Sequence, residues 1–228
     1  MRIVTLFREL ARLGRKHHSN ALRGILKGRL LTALLMFLDI LLGIYWATLT
    51  SIVFQVPLNF VWIIFGILFA LLPDIDFWVE YIRRKGKVGG KILDQHRVLT
   101  HIPLLFLLIG IIIFALAGPA IGVLYLLGVA GHFIHDSVGM GYGYRLLYPY
   151  SNQFFKFFSD QDGNVSYTWK HFMIRWTEAE VRALHQKHGN DNWLADDIRY
   201  HLRHWPTLLW QFSLVIVSLI IIKYLFYV

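Results

Sequence analysis

Long apolar stretches limit this chain more than any other feature. Residues 30–49, 56–72, 98–117, 120–136 and 207–228 run almost without charge. A helix rising ~1.5 Å per residue needs about 20 such residues to cross a hydrocarbon core of ~30 Å. Backbone groups in lipid must be satisfied within their own segment, so stretches of this length are expected as helices. Composition agrees, with 56% of residues hydrophobic, 16% charged and a mean hydropathy of +0.50, against roughly a quarter charged in a soluble domain. The expected class is all-α: a polytopic membrane protein of about five transmembrane helices, with a small helical segment before the last.

The chain divides by polarity. Residues 1–29 hold eight Lys or Arg against the single acid Glu9, with Ile3, Leu6, Phe7, Leu10 and Leu13 at helical spacing, the pattern of a basic amphipathic segment on an anionic membrane surface. The apolar core and small-residue cleavage site of a secretory signal are missing, so this start is expected to be retained. Residues 30–137 form the membrane bundle, 138–206 a cytoplasmic helical segment and 207–228 a C-terminal transmembrane helix. Pro57 and Asn59 mark a turn within residues 48–59, although one long helix over 30–56 fits the pattern as well; Gly118-Pro119 marks the next. Thr177-Glu178-Ala179-Glu180 reads as a capping box opening a helix that stops at Gly189, and Asn192 caps a second running to about His204.

Orientation follows from charge. Residues 1–29, 74–97 and 138–206 hold 22 of the 23 Lys and Arg, and basic loops stay on the cytoplasmic side. The N terminus is then cytoplasmic, the chain is a multi-pass protein of the cytoplasmic (inner) membrane, and the basic excess points to anionic lipid rather than nucleic acid. Threading five spans from that start brings three polar clusters to one face: Pro73-Asp74-Ile75-Asp76, His96-Arg97-Val98-Leu99-Thr100-His101, and His132 with Asp136.

The chain has no cysteine, so His, Asp and Glu are the strong ligands available. Positions four apart share a helix face, which sets His132 beside Asp136. Asp74, Asp76, His96, His101, His132 and Asp136 are the candidate ligands, a mixed nitrogen and oxygen set suited to one or two divalent ions of zinc, manganese or iron. Any one cluster is more simply read as polar groups ending a helix; three at one depth favour a metal. Arg97 is a candidate phosphate-binding cation, while His135 and Asp94 are candidates for ligand support or proton transfer. His17, His18, His171, His185, His188, His201 and His204 are expected to be solvated.

In order, Leu72-Pro73-Asp74-Ile75-Asp76, the His96 to His101 stretch, the His132 and Asp136 pair and Leu146-Leu147-Tyr148-Pro149-Tyr150-Ser151 resemble the motifs of the LexA-regulated, membrane-bound, metal-dependent hydrolases. The resemblance spans roughly residues 65–158. It implies a multi-span inner-membrane protein and metal-dependent hydrolysis, and names no substrate. Phe77 stands where that family commonly has His, Ile102 where it has a small hydroxyl residue, and Ser137-Val138-Gly139 where it often has Thr-Pro, departures that favour one metal over two.

These residues are read as a membrane-embedded metal-dependent hydrolase with catalytic candidates Arg97 and His135. The expected substrate is a phosphoester of a membrane lipid or other amphiphile at the cytoplasmic face, since the site lies at headgroup depth among Arg83, Arg84, Lys85 and Arg97. The alternative is a non-catalytic metal-binding membrane protein, either an ion carrier or a structural factor; Asp39, an acid at mid-membrane, is the feature that favours transport. A lipid phosphatase with His and Asp four apart would need a Pro-Ser-Gly-His cluster, which the chain lacks, and a haem protein would need paired His inside spans. The oligomeric state is not set by the sequence.

Overall fold

A computed structural model describes residues 21–83, 100–139, 141–188, 213–214, 216–221 and 223–224. Helix α1 (Ala21–Phe54) runs unbroken across residues 29 and 30, because nothing in that stretch stops a helix. The turn falls late in the 48–59 window. Gln55 takes a positive φ of 52°, Ser51 Oγ donates to the Val56 carbonyl at 2.6 Å, and Asn59 caps helix α2 (Phe60–Leu71) by accepting from the Trp62 N–H at 3.0 Å. Pro73 converts the end of α2 into a 3-10 turn, Leu72–Asp74, that leads into α3 (Ile75–Arg83).

Helix α4 (Pro103–Ala117) and α5 (Pro119–Val138) form a hairpin at Gly118. There φ is +94°, a conformation that favours glycine, and Pro119 sits in the first helical turn, where its missing N–H has no partner to lose. The bundle is organised on α5, which packs against α1, α2 and α4, while α1 and α2 pack along one another. Phe106, Tyr125, Val129 and Phe133 fill its core with Tyr144. Helical residues near the C terminus join it: Ser218 is fully buried and donates to the Leu41 carbonyl at 3.5 Å.

Two helical stretches, Phe60–Val79 and Pro119–Val138, are long and apolar enough to cross a bilayer; Leu38–Phe54 and Pro103–Ala117 are apolar but shorter. Phe60, Val61, Leu68, Leu108, Ile112 and Leu116 turn apolar side chains outward, the surface that lipid covers in a membrane bundle. Close approach of α1 and α2 depends on paired glycines. A Cβ on Gly66 would lie 2.3 Å from the Gly43 carbonyl oxygen and 2.9 Å from Ala47 Cβ. Gly66→Val is therefore expected to force these helices apart and destabilise the protein by about 1–3 kcal/mol, the usual range for overpacking, which a lowered unfolding midpoint in detergent would register.

The segment after α5 corrects the all-helical expectation. Phe154–Phe157 (β1) pairs antiparallel with Met173–Trp176 (β2), Phe154 opposite Trp176. Aromatic and β-branched side chains favour the pleated, half-buried surface of such a pair, and in β2 Met173 and Arg175 face outward while Ile174 and Trp176 face inward. Each strand is only four residues long and lies among polar loops, and β1 buries Phe154, Phe155 and Lys156 in a row, so no alternating pattern announces the pair. Lys156 is fully buried and caps two loops, donating from Nζ to the carbonyls of Gly141 at 2.7 Å and Gly163 at 3.1 Å.

Helix α6 (Glu178–His188) opens on the expected capping box, with the Thr177 N–H donating to Glu180 Oε2 at 2.6 Å and the Glu180 N–H to Thr177 Oγ1 at 3.3 Å. Hydrogen bonds from Arg182 and Arg145 hold the Glu178 carboxyl below its ordinary range and tie α6 to the chain leaving α5. The first 20 residues of the basic segment, the helix expected from Asn192 and most of the last apolar run lie outside the described residues.

Candidate metal centre

Asp74 comes from the 3-10 turn after α2, His101 from the two residues without regular structure before α4, and His132 and Asp136 from the last turns of α5. One hydrogen bond joins the first two elements: Thr100 Oγ1 donates to the Pro73 carbonyl at 2.6 Å, setting the residue beside Asp74 against the residue before His101. The four-residue spacing on α5 does the rest. One ligand atom from each of Asp74, His101, His132 and Asp136 lies within 4.8 Å of all the others.

The separations suit a cation. His101 Nε2 is 3.4 Å from His132 Nε2, 3.6 Å from Asp74 Oδ1 and 2.8 Å from Asp136 Oδ2. His132 Nε2 is 3.5 Å from Asp74 Oδ1 and 3.6 Å from Asp136 Oδ2. Four donors at ~2.1 Å around a tetrahedral ion are about 3.4 Å apart, so four of these five separations match ligand spacing, and the fifth, the short His101–Asp136 contact, is a hydrogen-bond distance. Two imidazole nitrogens facing each other between two carboxylates is also the donor set that zinc, manganese or iron accepts. Phe133 walls both rings, its centroid 5.7 Å from His101 and 6.1 Å from His132. The open edge is at Asp74, whose side chain is 25% exposed while both histidines are buried.

A fifth residue stands behind the four. Asp39 of α1, 5% exposed, sets Oδ1 3.4 Å from His132 Nδ1, the ring nitrogen facing away from the cluster. A carboxylate at the second nitrogen of a liganding histidine fixes its tautomer and ring orientation. The sequence marks Asp39 as a costly charge in a span without placing it in the site, because nothing in the spacing of one helix tells which residue of another it meets.

The remaining candidates divide. Asp76 is not one of the four: side chains two apart on a helical path of 3.6 residues per turn project to nearly opposite sides. His135 is not one of them either; its Nδ1 is 3.7 Å from Asp39 Oδ1, and it lines a mostly apolar cleft of about 400 Å³ with Leu42, Trp46, Ile134 and Leu214. Asp94, His96 and Arg97 lie outside the described residues.

The family model of the YdjM inner membrane proteins matches residues 35–227. The chain belongs to the YdjM inner membrane protein family. That match takes in Asp39 and all four residues of the cluster, and membership makes this an inner-membrane protein. The YdjM description carries a location, with no activity and no metal. No curated protein and no solved structure matches the chain.

Proposed function

We propose that Asp74, His101, His132 and Asp136 hold one divalent cation and that the protein is a membrane-embedded hydrolase of phosphoesters carried by amphiphilic molecules. The observation that carries this reading is the convergence of four donor atoms from separate elements at one end of two apolar helices, with Asp74 open to the outside. A cation there would supply Lewis acidity toward a phosphoryl oxygen and activation of water.

The chain's own residues divide the work. His101 and His132 offer neutral donors, Asp74 and Asp136 balance the charge, Phe133 keeps water from the buried side, and Asp39 orients His132. Arg97 is proposed from the sequence as the cation that meets the phosphate. His135 is given no part in the reaction. With Asp39 engaged at His132, the one feature that spoke for an ion carrier has a simpler account.

Purified protein is expected to release phosphate or a headgroup from at least one member of a panel of phospholipids and isoprenoid phosphates. The release should stop with chelator and be absent from His101→Ala. Metal-replete protein that turns over no member of the panel would replace the hydrolase with the non-catalytic metal-binding reading.

Five spans with both polar ends of the hairpins inside put the cluster at the cytoplasmic face, a reading that rests on the 22 of 23 basic residues in three segments. A reporter fused after residue 90 or residue 160 is expected to be cytoplasmic. A periplasmic signal at either point would move the cluster to the opposite face.

A further inference from the structure

The segment that follows α5 presents an aromatic surface that the metal centre does not use. Trp169 is 89% exposed, with Tyr167 at 48%, Phe172 at 42% and Met173 at 49% beside it in the chain. These side chains form one patch. Trp169 and Phe172 have ring centroids 5.9 Å apart, Phe172 and Phe158 5.4 Å, and Phe158 and Tyr167 5.6 Å.

The patch is held outward by hydrogen bonds. The Phe158 N–H donates to the Phe172 carbonyl at 3.0 Å, the Ser159 N–H to the His171 carbonyl at 3.1 Å and the Ser166 N–H to the Phe158 carbonyl at 2.8 Å, while His171 Nδ1 and Ser166 Oγ are 2.8 Å apart. These bonds fix the backbone that carries the rings at the surface. Contiguous exposed aromatic surface of this kind marks a partner.

Chemistry and position identify that partner as lipid. Residues 164–177 carry Lys170 and Arg175, both exposed, and no acid. Aromatic rings among basic side chains are the composition of segments that rest in the interface of an anionic membrane. The patch is also close to where the chain leaves the bundle. Tyr144 rests on Phe133 of α5 with centroids 5.2 Å apart and bridges to Phe155, and Phe158 is three residues further, about 10 Å of extended chain. The headgroup zone beside a ~30 Å core is itself about 5–8 Å deep.

We infer that the Tyr167–Met173 patch docks the extramembrane segment onto the anionic headgroup layer of the bilayer that the helices enter. Trp169 and Phe172 enter the acyl boundary, and Lys170 and Arg175 meet lipid phosphates. The inference is independent of any metal at the cluster.

The absence of cysteine permits a direct test on the full chain. Thr168→Cys, at an exposed position with no capping hydrogen bond, takes a nitroxide label beside the intact patch, and Ala183→Cys on α6 serves as the comparison. In vesicles of phosphatidylethanolamine and phosphatidylglycerol, the label at 168 is expected to collide more with oxygen than with a water-soluble nickel chelate, and the label at 183 the reverse. Adding Trp169→Ala, or replacing the lipid with phosphatidylcholine, should shift the label at 168 toward the chelate. Equal ratios at 168 and 183 would overturn the proposal. Protection of 168 from both reagents would also overturn it, in favour of a protein partner, and a ratio indifferent to lipid charge would overturn the assignment to anionic headgroups.

Discussion

Replacing His132 with alanine is expected to strip the purified protein of its divalent metal almost completely, not to remove a quarter of it. His132 has carboxylates at both ring nitrogens, Nε2 toward Asp74 and Asp136, with His101 beside them, and Nδ1 toward Asp39. Its loss leaves the carboxylates of Asp74 and Asp136 converging with one imidazole fewer between them, and leaves the buried Asp39 facing the more distant His135 Nδ1, at 3.7 Å.

Unpaired buried charge is heavily penalised. The affinity lost should thus exceed the roughly 10–100-fold that removal of an outer-shell partner alone produces. Metal analysis after detergent purification reads this directly. Asp76→Ala is expected to give the contrasting result, metal retained, because Asp76 is not among the four converging residues. Stoichiometric metal in His132→Ala would end the assignment of the cluster, whereas metal lost from Asp76→Ala would redraw its membership.

Much of this site is legible in the sequence, because most of it is encoded locally. Four-residue spacing alone puts His132 and Asp136 on one helix face. Pro73 announces the end of α2 and so delivers Asp74 to a turn. Gly118-Pro119 announces the hairpin that returns α5 to the level of His101. What local pattern does not carry is rotation and pairing between elements. Asp74 and Asp76 are equivalent in sequence as two acids after a span; helical rotation separates them. Asp39 reads as an isolated charge in lipid, yet α1 packs on α5 so that its carboxylate meets a ring nitrogen that the α5 spacing leaves spare. The strand pair is hidden for a different reason: Phe154–Phe157 buries three residues in a row and does not alternate, and the alternation of Met173–Trp176 is too brief to stand out from the polar chain around it.

Asp39→Asn is the change that separates the readings of this protein most cleanly. The substitution keeps the volume of a side chain packed at the α1–α5 contact and keeps an oxygen facing His132 Nδ1, 3.4 Å from it in the present structure. The charge is gone, however, and a hydrogen bond to an ionised acceptor is roughly twice as strong as a neutral one. His132 is then held less firmly in the tautomer that turns the Nε2 lone pair toward Asp74, His101 and Asp136. Metal affinity, measured by competition with a chromophoric chelator, is expected to fall about 10–100-fold, with one ion still bound at saturation and the unfolding midpoint of the metal-free protein little changed. An ion carrier predicts the opposite pair of results: affinity at the four-residue cluster kept, and uptake into proteoliposomes abolished, because Asp39 would then be a stop along the path of the ion and not a support for its ligand. Unchanged affinity in Asp39→Asn would detach Asp39 from the metal centre. Unchanged uptake alongside weakened binding would leave it as the carboxylate that sets His132.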